Sequence, residues 1–312
     1  MKYSFVLPAY KATYFKEAID SILNQTYKEF ELIIVNDASP EELDSIVLSY
    51  EDPRIRYYKN EKNIGGEDLV AQWNHSISYA QGEYIILASD DDVYHLDYLE
   101  KMDSIIEKYP DVNVFRPMVQ MINFNGEITH IRGLLNEYSS QLIFAYFSGR
   151  IGGGVPFYIF RRKTLESIHG FKHYPLAWHS DDMTALMMAD KGIVFYPEIL
   201  FSFRLSGESI SSKQNNVNTL RMKIEATNQY IDDLCGLLSS IESHSDIEEF
   251  CRTNLIQSLP SYKKAYLQDW FWSSTKKAVV KNYSLFKESN CFTIKTLLLM
   301  YIRRLLLTMG KA

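Results

Sequence analysis

The chain has 312 residues, a formal net charge of −6, 46% hydrophobic and 23% charged residues, which suits one large folded α/β domain or a core domain with an appendage. That negative balance argues against DNA or another extended polyanion as the partner, so no nucleic-acid role is expected. Three scattered cysteines, Cys235, Cys251 and Cys291, match neither a disulfide framework nor a metal spacing. The start lacks a signal-type apolar run, and no window approaches the roughly 18 apolar residues that span a bilayer. A cytoplasmic protein is expected.

Strands and helices alternate through the first hundred residues. Ser4 to Leu7 is a short apolar strand halted by Pro8, and Phe15, Ala18, Ile19, Ile22 and Leu23 then recur at helical spacing. "ELIIVND" (31–37) is the second strand. In the following "SPEE", Ser39 is placed as a helix cap, with Pro40 at the first helical position and Glu42 three residues after the cap. Leu43, Ile46 and Val47 would face inward. Residues 54–59 read as a third strand, Leu69, Val70, Trp73 and Ile77 as a helical face, and residues 84–88 as a fourth strand. Near-continuous apolar strands alternating with helices predict an α/β fold: a Rossmann-like, mostly parallel sheet flanked by helices, with right-handed crossovers.

Beyond Asp92 the alternation loosens. Leu99, Met102, Ile105 and Ile106 form another helix face, and residues 112–133 read as antiparallel strands turning at Asn125-Gly126. "RIGGGVPFYIFRR" (150–162) sets three glycines before a strand. Gly153 and Gly154 permit close backbone approach, as part of a substrate-side wall or as a plain turn. From Asn215 onward helical spacing dominates, so a C-terminal helical region is expected. The boundary is placed in the polar stretch 206–217. The expected division is a domain over 1–211, in halves of 1–100 and 101–211, followed by helices over 212–312. The tail "TIKTLLLMYIRRLLLTMGKA" splits two apolar runs with Arg303-Arg304 and follows Lys276, Lys277 and Lys281. It suits either an amphipathic helix packed on the bundle or an interfacial segment touching anionic lipid.

In a doubly wound sheet, ligands bind beyond the carboxyl ends of the strands. Three ends are chemically marked: Pro8-Ala9-Tyr10, Asn36-Asp37 and Asp90-Asp91-Asp92. With Ser39 assigned to the cap, Asp37 is left to accept hydrogen bonds from a base or ribose. Adjacent carboxylates repel and resist desolvation. The triplet is therefore either a solvated turn or a site for a hard cation, Mg²⁺ or Mn²⁺, shared with substrate phosphates. Such an ion would stabilise charge on a departing diphosphate. Downstream, Asp181-Asp182 precede a helical run, as acids favoured by the helix dipole or as acid–base groups. His179 stands beside them.

Several ordered segments, "FVLPAYK", "AIDSILNQTYKEFELIIVNDAS", "NIGG", "AQGEYIILASDDDVYHLDYL" and "FRRKTLESIHGF", resemble family 2 glycosyltransferases of the GT-A fold. The resemblance covers about residues 1–211. It implies inverting transfer from a nucleotide-diphosphate sugar, with a UDP-sugar as the first candidate, to an acceptor hydroxyl, with Mg²⁺ or Mn²⁺. A glycan or lipid-linked glycan acceptor in surface polysaccharide, lipopolysaccharide or capsule synthesis would fit, with possible contact at the inner membrane face. Pro8, Ala9 and Tyr10 would line the nucleotide pocket, Asp37 would bind the base, and Asn36 stands where the family usually has an acid. In the family's Asp-x-Asp-Asp pattern Ser89 takes the first position. Asp90 then falls near the ribose, Asp91 becomes the metal ligand, and Asp92 a second ligand or an orienting group. Asp182 would be the general base, with Asp181 beside it for the usual Glu, and His179 near the acceptor. Arg204 matches a family arginine that contacts phosphate, or else it pairs with a structural acid; Ser206 replaces the family's histidine. A nucleotidyltransferase would want a Gly-rich basic loop after the first strand, which "PAYKATYFKEA" lacks. A non-catalytic nucleotide-sugar or membrane-associated partner protein would have no use for Asp37, Asp91 and Asp182 together.

Overall fold

The computed structural model describes residues 1–132, 136–205, 215–289 and 291–308. Strands and helices alternate first as β1 (Tyr3–Ala9), α1 (Phe15–Leu23), β2 (Phe30–Asn36), α2 (Leu43–Leu48), β3 (Ile55–Lys59), α3 (Leu69–Ile77) and β4 (Tyr84–Leu87). Then come β5 (Val93–Tyr94), α4 (Tyr98–Lys108), β6 (Val114–Ile122), β7 (Ile128–Arg132), β8 (Tyr138–Ser139), α5 (Gln141–Ile151), β9 (Ile159–Arg161) and α6 (Arg162–Ser167). The chain closes with α7 (Ser180–Met188), β10 (Ile193–Arg204), α8 (Val217–Ser240), α9 (Asp246–Ser273), α10 (Lys276–Lys281), α11 (Tyr283–Glu288) and α12 (Ile294–Thr308).

One sheet runs β3-β2-β1-β4-β9-β6-β10-β5, with β7 on β6 and β8 on β10. β1, β2, β3 and β4 pair in parallel, as do β6 and β10, and these are the long ladders. The short β5, β8 and β9 and the hairpin strand β7 join antiparallel. β2 is buried along its whole length and β1 along nearly all of it, which is why both read as unbroken apolar runs. Their one charged residue, Glu31, accepts from Ser4 Oγ at 2.6 Å and pairs with Arg56 Nη1 at 2.7 Å. Three adjacent strands are thereby pinned in register. The β6–β7 hairpin turns at Gly126, whose φ of 83° suits glycine.

One expectation fails locally. Helix α2 begins only at Leu43, and Glu42 at its cap makes no side-chain bond. Ser39 instead donates to the Tyr10 carbonyl at 2.5 Å and accepts from the Glu41 N–H at 3.0 Å. The serine caps a turn and ties it to the end of β1, so the capping box is not formed.

The main core encloses both faces of the sheet and takes in Tyr230, Leu234 and Leu238 of α8 and Leu259 of α9. A second, smaller core joins Leu220 and Ile224 of α8 and Trp270 and Phe271 of α9 to Val279, Phe286 and Leu297 of the last three helices. Helices α8 and α9 thus belong to both. The expected boundary at residue 211 lies outside the described residues, as does Ser206.

Candidate active site

β1 is followed by β2 on one side and paired with β4 on the other, so the strand order reverses beside β1 and leaves a crevice at the carboxyl ends. Asp90 reaches across it. Its Oδ2 accepts the backbone N–H groups of Tyr10 and Lys11, each at 2.8 Å. Burial raises the Asp90 carboxyl, and the two N–H donors oppose that rise. Pro8 and Ala9 lie in the β1–β2 ladder, while the Tyr10 ring is 40% exposed at the crevice.

Asp37 is not left unused, contrary to expectation. It is buried, and its carboxylate accepts from Asn60 Nδ2 at 2.7 Å, Ile64 N at 2.9 Å and Gly65 N at 2.7 Å. The "NIGG" loop is folded around it; a Cβ on Gly65 would sit 3.0 Å from Asp37 Oδ2. Asn36 also has a local reason. Its Nδ2 donates to Asp44 Oδ1 at 2.9 Å and its Oδ1 accepts from Ser39 N at 2.9 Å. An acid at 36 would face Asp44 as a like charge.

The three consecutive aspartates diverge. Asp92 is fully buried: Oδ1 accepts the Arg204 N–H at 2.8 Å and Oδ2 has no partner. Burial and the neighbouring Asp91 charge push its carboxyl well above the usual range. The Ser89 hydroxyl favours the ionised form, where an acid at that position would oppose it. Asp91 is half-buried, and its carbonyl accepts from Arg204 Nε at 2.8 Å.

Arg204 takes the structural alternative. It is 4% exposed, pairs with Glu17 Oε2 at 2.7 Å and lies 4.1 Å over the Tyr14 ring. With its guanidinium committed to α1 and to the Asp91 carbonyl, it is a positioning residue for the turn, the second of the two roles its sequence context left open.

Among the described residues no three His, Cys, Asp or Glu side chains converge on a metal-sized position. A cation here would draw one or two carboxylates from the turn and its other ligands from phosphate and water, a mode suited to Mg²⁺. The hard oxygen donors of Asp91 fit that mode. Asp92, sealed from solvent, is placed to orient the turn.

The second acidic pair opens α7. Burial, then the adjacent Asp182 carboxylate, pushes Asp181 up to about 8. Asp182 Oδ2 lies 3.3 Å from His179 Nδ1, and His179 Nε2 lies 3.2 Å from Thr227 Oγ1 of α8. These neighbours select the tautomer with Nδ1 protonated, donating to the carboxylate. The ring stacks on Tyr230 at 4.4 Å and meets Tyr266 edge-on at 5.5 Å. His179 is 6% exposed and its φ is 69°, the left-handed region that a non-glycine residue seldom adopts. Its contacts are with the acid and the aromatic wall, so it positions Asp182.

Gly153 makes room for that carboxylate, because a Cβ there would drive far inside van der Waals contact with Asp182 Oδ1. Gly154 leaves space for the Phe157 ring. Phe157 packs on Phe203 at 5.4 Å, one residue before Arg204. The two acidic halves are thus joined by a continuous run of contacts from Asp91 to Asp182.

Two features were not legible beforehand. Arg116 of β6 is fully buried, donates to the Gly152 carbonyl at 2.9 Å and is ringed by Phe157, Tyr158 and Phe195. Its charge acts on Asp181, lowering the carboxyl that burial raises. A lone arginine inside the apolar run "VFRPM" was the available signal. The aromatic wall of Tyr230, Tyr262 and Tyr266 comes from helices whose sequence carries no motif; only their tyrosine content hinted at it.

The family model described as Glycosyl transferase family 2 matches residues 4–168, over half of the chain. A glycosyltransferase of Rickettsia typhi is 38% identical over 112 residues, covering 36% of this chain and 34% of that protein. One from Methanocaldococcus jannaschii is 36% identical over 118 residues, covering 37% and 40%. The matched stretch spans about a third of the length of such curated relatives. Among solved structures, S. aureus TarS 1–349 in complex with UDP-GlcNAc superposes with a TM-score of 0.63 at 16% identity, covering 93% of this chain and 89% of that one. The mannosyltransferase PcManGT from Pyrobaculum calidifontis, in complex with GDP-Man and Mn²⁺, gives 0.53 at 13%, covering 98% and 80%. With the motifs on β1, β2 and β4 in their places, the chain belongs to glycosyl transferase family 2 and has a GT-A-like fold.

Proposed function

We propose that this chain transfers a sugar from a nucleotide-diphosphate sugar, a UDP-sugar first, to a hydroxyl of a glycan or lipid-linked glycan, with inversion. The observation that carries the reading is Asp182, fixed by His179 at the start of α7, with its carboxylate seated in the room that Gly153 leaves for it. A carboxylate so oriented can take the acceptor proton as the hydroxyl attacks opposite the leaving group. Asp181, protonated near neutrality, keeps the pair from carrying two adjacent charges. Tyr10, Asp37 and Asp90 shape the nucleotide side, and Asp91, with Asp92 and Arg204 fixing its turn, would hold Mg²⁺ or Mn²⁺. That ion, when bound, would neutralise charge developing on the diphosphate. TarS with UDP-GlcNAc and PcManGT with GDP-Man and Mn²⁺ support this reading by fold. A surface glycan is the product class that suits it.

The decisive experiment pairs donor binding with turnover. Asp182→Asn is expected to leave UDP-sugar affinity intact and to cut transfer by about 10²–10⁴-fold, as loss of a general base does. Asp91→Ala is expected to make donor affinity insensitive to EDTA. Turnover surviving in Asp182→Asn would move the base elsewhere, and an unchanged EDTA response in Asp91→Ala would remove the metal assignment.

A further inference from the structure

The last three helices carry a surface that the active site does not use. α12 packs inward by Leu297, with Met300, Tyr301 and Arg304 half-covered on the same side. Ile294, Leu298 and Ile302, spaced one helical turn apart, are 61%, 56% and 44% exposed, and Leu299 beside them is 56% exposed. Lys295 and Arg303 are exposed along the edge of this stripe. α10 and α11 add exposed Val280 and Tyr283 together with exposed Lys277, Lys281 and Lys287.

Charge separates this surface from the rest of the molecule. Residues 275–312 hold eight Lys and Arg against one acid, Glu288, a net of +7, whereas the first 274 residues hold twenty-five against thirty-eight, a net of −13. A protein acidic elsewhere is thus basic along the segment that bears the exposed apolar stripe. That pairing complements anionic headgroups above an acyl boundary. It opposes a second copy of the chain, because an isologous contact would bring two such basic faces together. Among the described residues no helix is long and apolar enough to cross a membrane, so the fit is to a helix lying in the interface plane.

We propose that α10–α12 form a docking surface for an anionic lipid bilayer, with Ile294, Leu298 and Ile302 entering the headgroup boundary and the surrounding lysines meeting lipid phosphates. The inference stands apart from the transfer reaction, and its test needs no turnover.

The full chain is sedimented with phosphatidylcholine vesicles with and without phosphatidylglycerol. Binding is expected only with phosphatidylglycerol and should weaken as salt rises. Leu298→Ser with Ile302→Ser should reduce it by about tenfold or more. Lys295→Ala and Arg303→Ala should each reduce it by about fivefold. All of these sites are exposed, so the variants should keep the parent's thermal midpoint, which is measured alongside. Equal binding to both vesicle types, binding to neither, or indifference to the substitutions would overturn the proposal. So would self-association of the parent chain that the serine pair abolishes while vesicle binding persists.

Discussion

At the residue scale, His179 is held in a left-handed conformation that most residues avoid, between an acid and a stacked tyrosine. The strain makes sense if the ring must present Nδ1 to Asp182. His179→Ala should lower kcat by about 10²-fold, the scale of misplacing a reacting group by about 1 Å, with KM for the donor nearly unchanged. His179→Asn tolerates the same backbone and returns an N–H toward the carboxylate, so it should recover part of the loss. A purely structural histidine would instead give equal defects in both variants. Asp181 supplies a second test. Its carboxyl titrates near 8 in the folded chain and at about 3.8 when unfolded, so the native state binds the extra proton between those values. Stability should therefore fall as pH rises from about 4 to about 8 and level off above. Asp181→Asn should flatten that slope in urea melts across the window; a parallel slope would mean another group causes it.

At the scale of elements, the end of β10 governs the metal-side turn. Arg204 links Asp91 to α1 through Glu17, and its backbone N–H holds Asp92. Glu17 is half exposed, so the ion pair itself contributes little; the partly buried bond to the Asp91 carbonyl matters more. Arg204→Met keeps the backbone bond to Asp92 and removes the side-chain ones. It should destabilise the fold by about 1–2 kcal/mol and weaken donor binding in Mn²⁺ more than in EDTA, read by urea melts and donor titration. Equal donor affinity in the two chains would show that the turn is held without the arginine. The sequence made β1, β2 and β4 legible because strands buried on both faces are unbroken apolar runs, and the β6–β7 hairpin legible through Asn125-Gly126. It misled at Ser39, where a helix cap and a turn cap use the same residue types. The short β5 and β8 left no periodic signal, being two residues long. Arg204's partner was undecidable from sequence, since Glu17 is 187 residues away.

At the scale of the molecule, the aromatic wall beside Asp182 and the main core both draw on α8 and α9. Tyr230, Leu234 and Leu238 are buried against the sheet domain, and Thr227 closes the hydrogen-bond chain through His179. A domain over residues 1–211 would lose these contacts and expose the face they cover. The chain ending at residue 211 should therefore show no cooperative urea transition by far-UV circular dichroism, whereas the full chain unfolds as one unit through its shared core. Removal of residues 275–312 is a milder cut, since it strips Val279, Phe286 and Leu297 from the smaller core and leaves the main one closed. That shorter chain should keep a cooperative transition at lower urea and keep UDP-sugar binding. A stable, donor-binding 1–211 fragment would instead make the first two hundred residues an independent domain and reduce α8 and α9 to an attached wall.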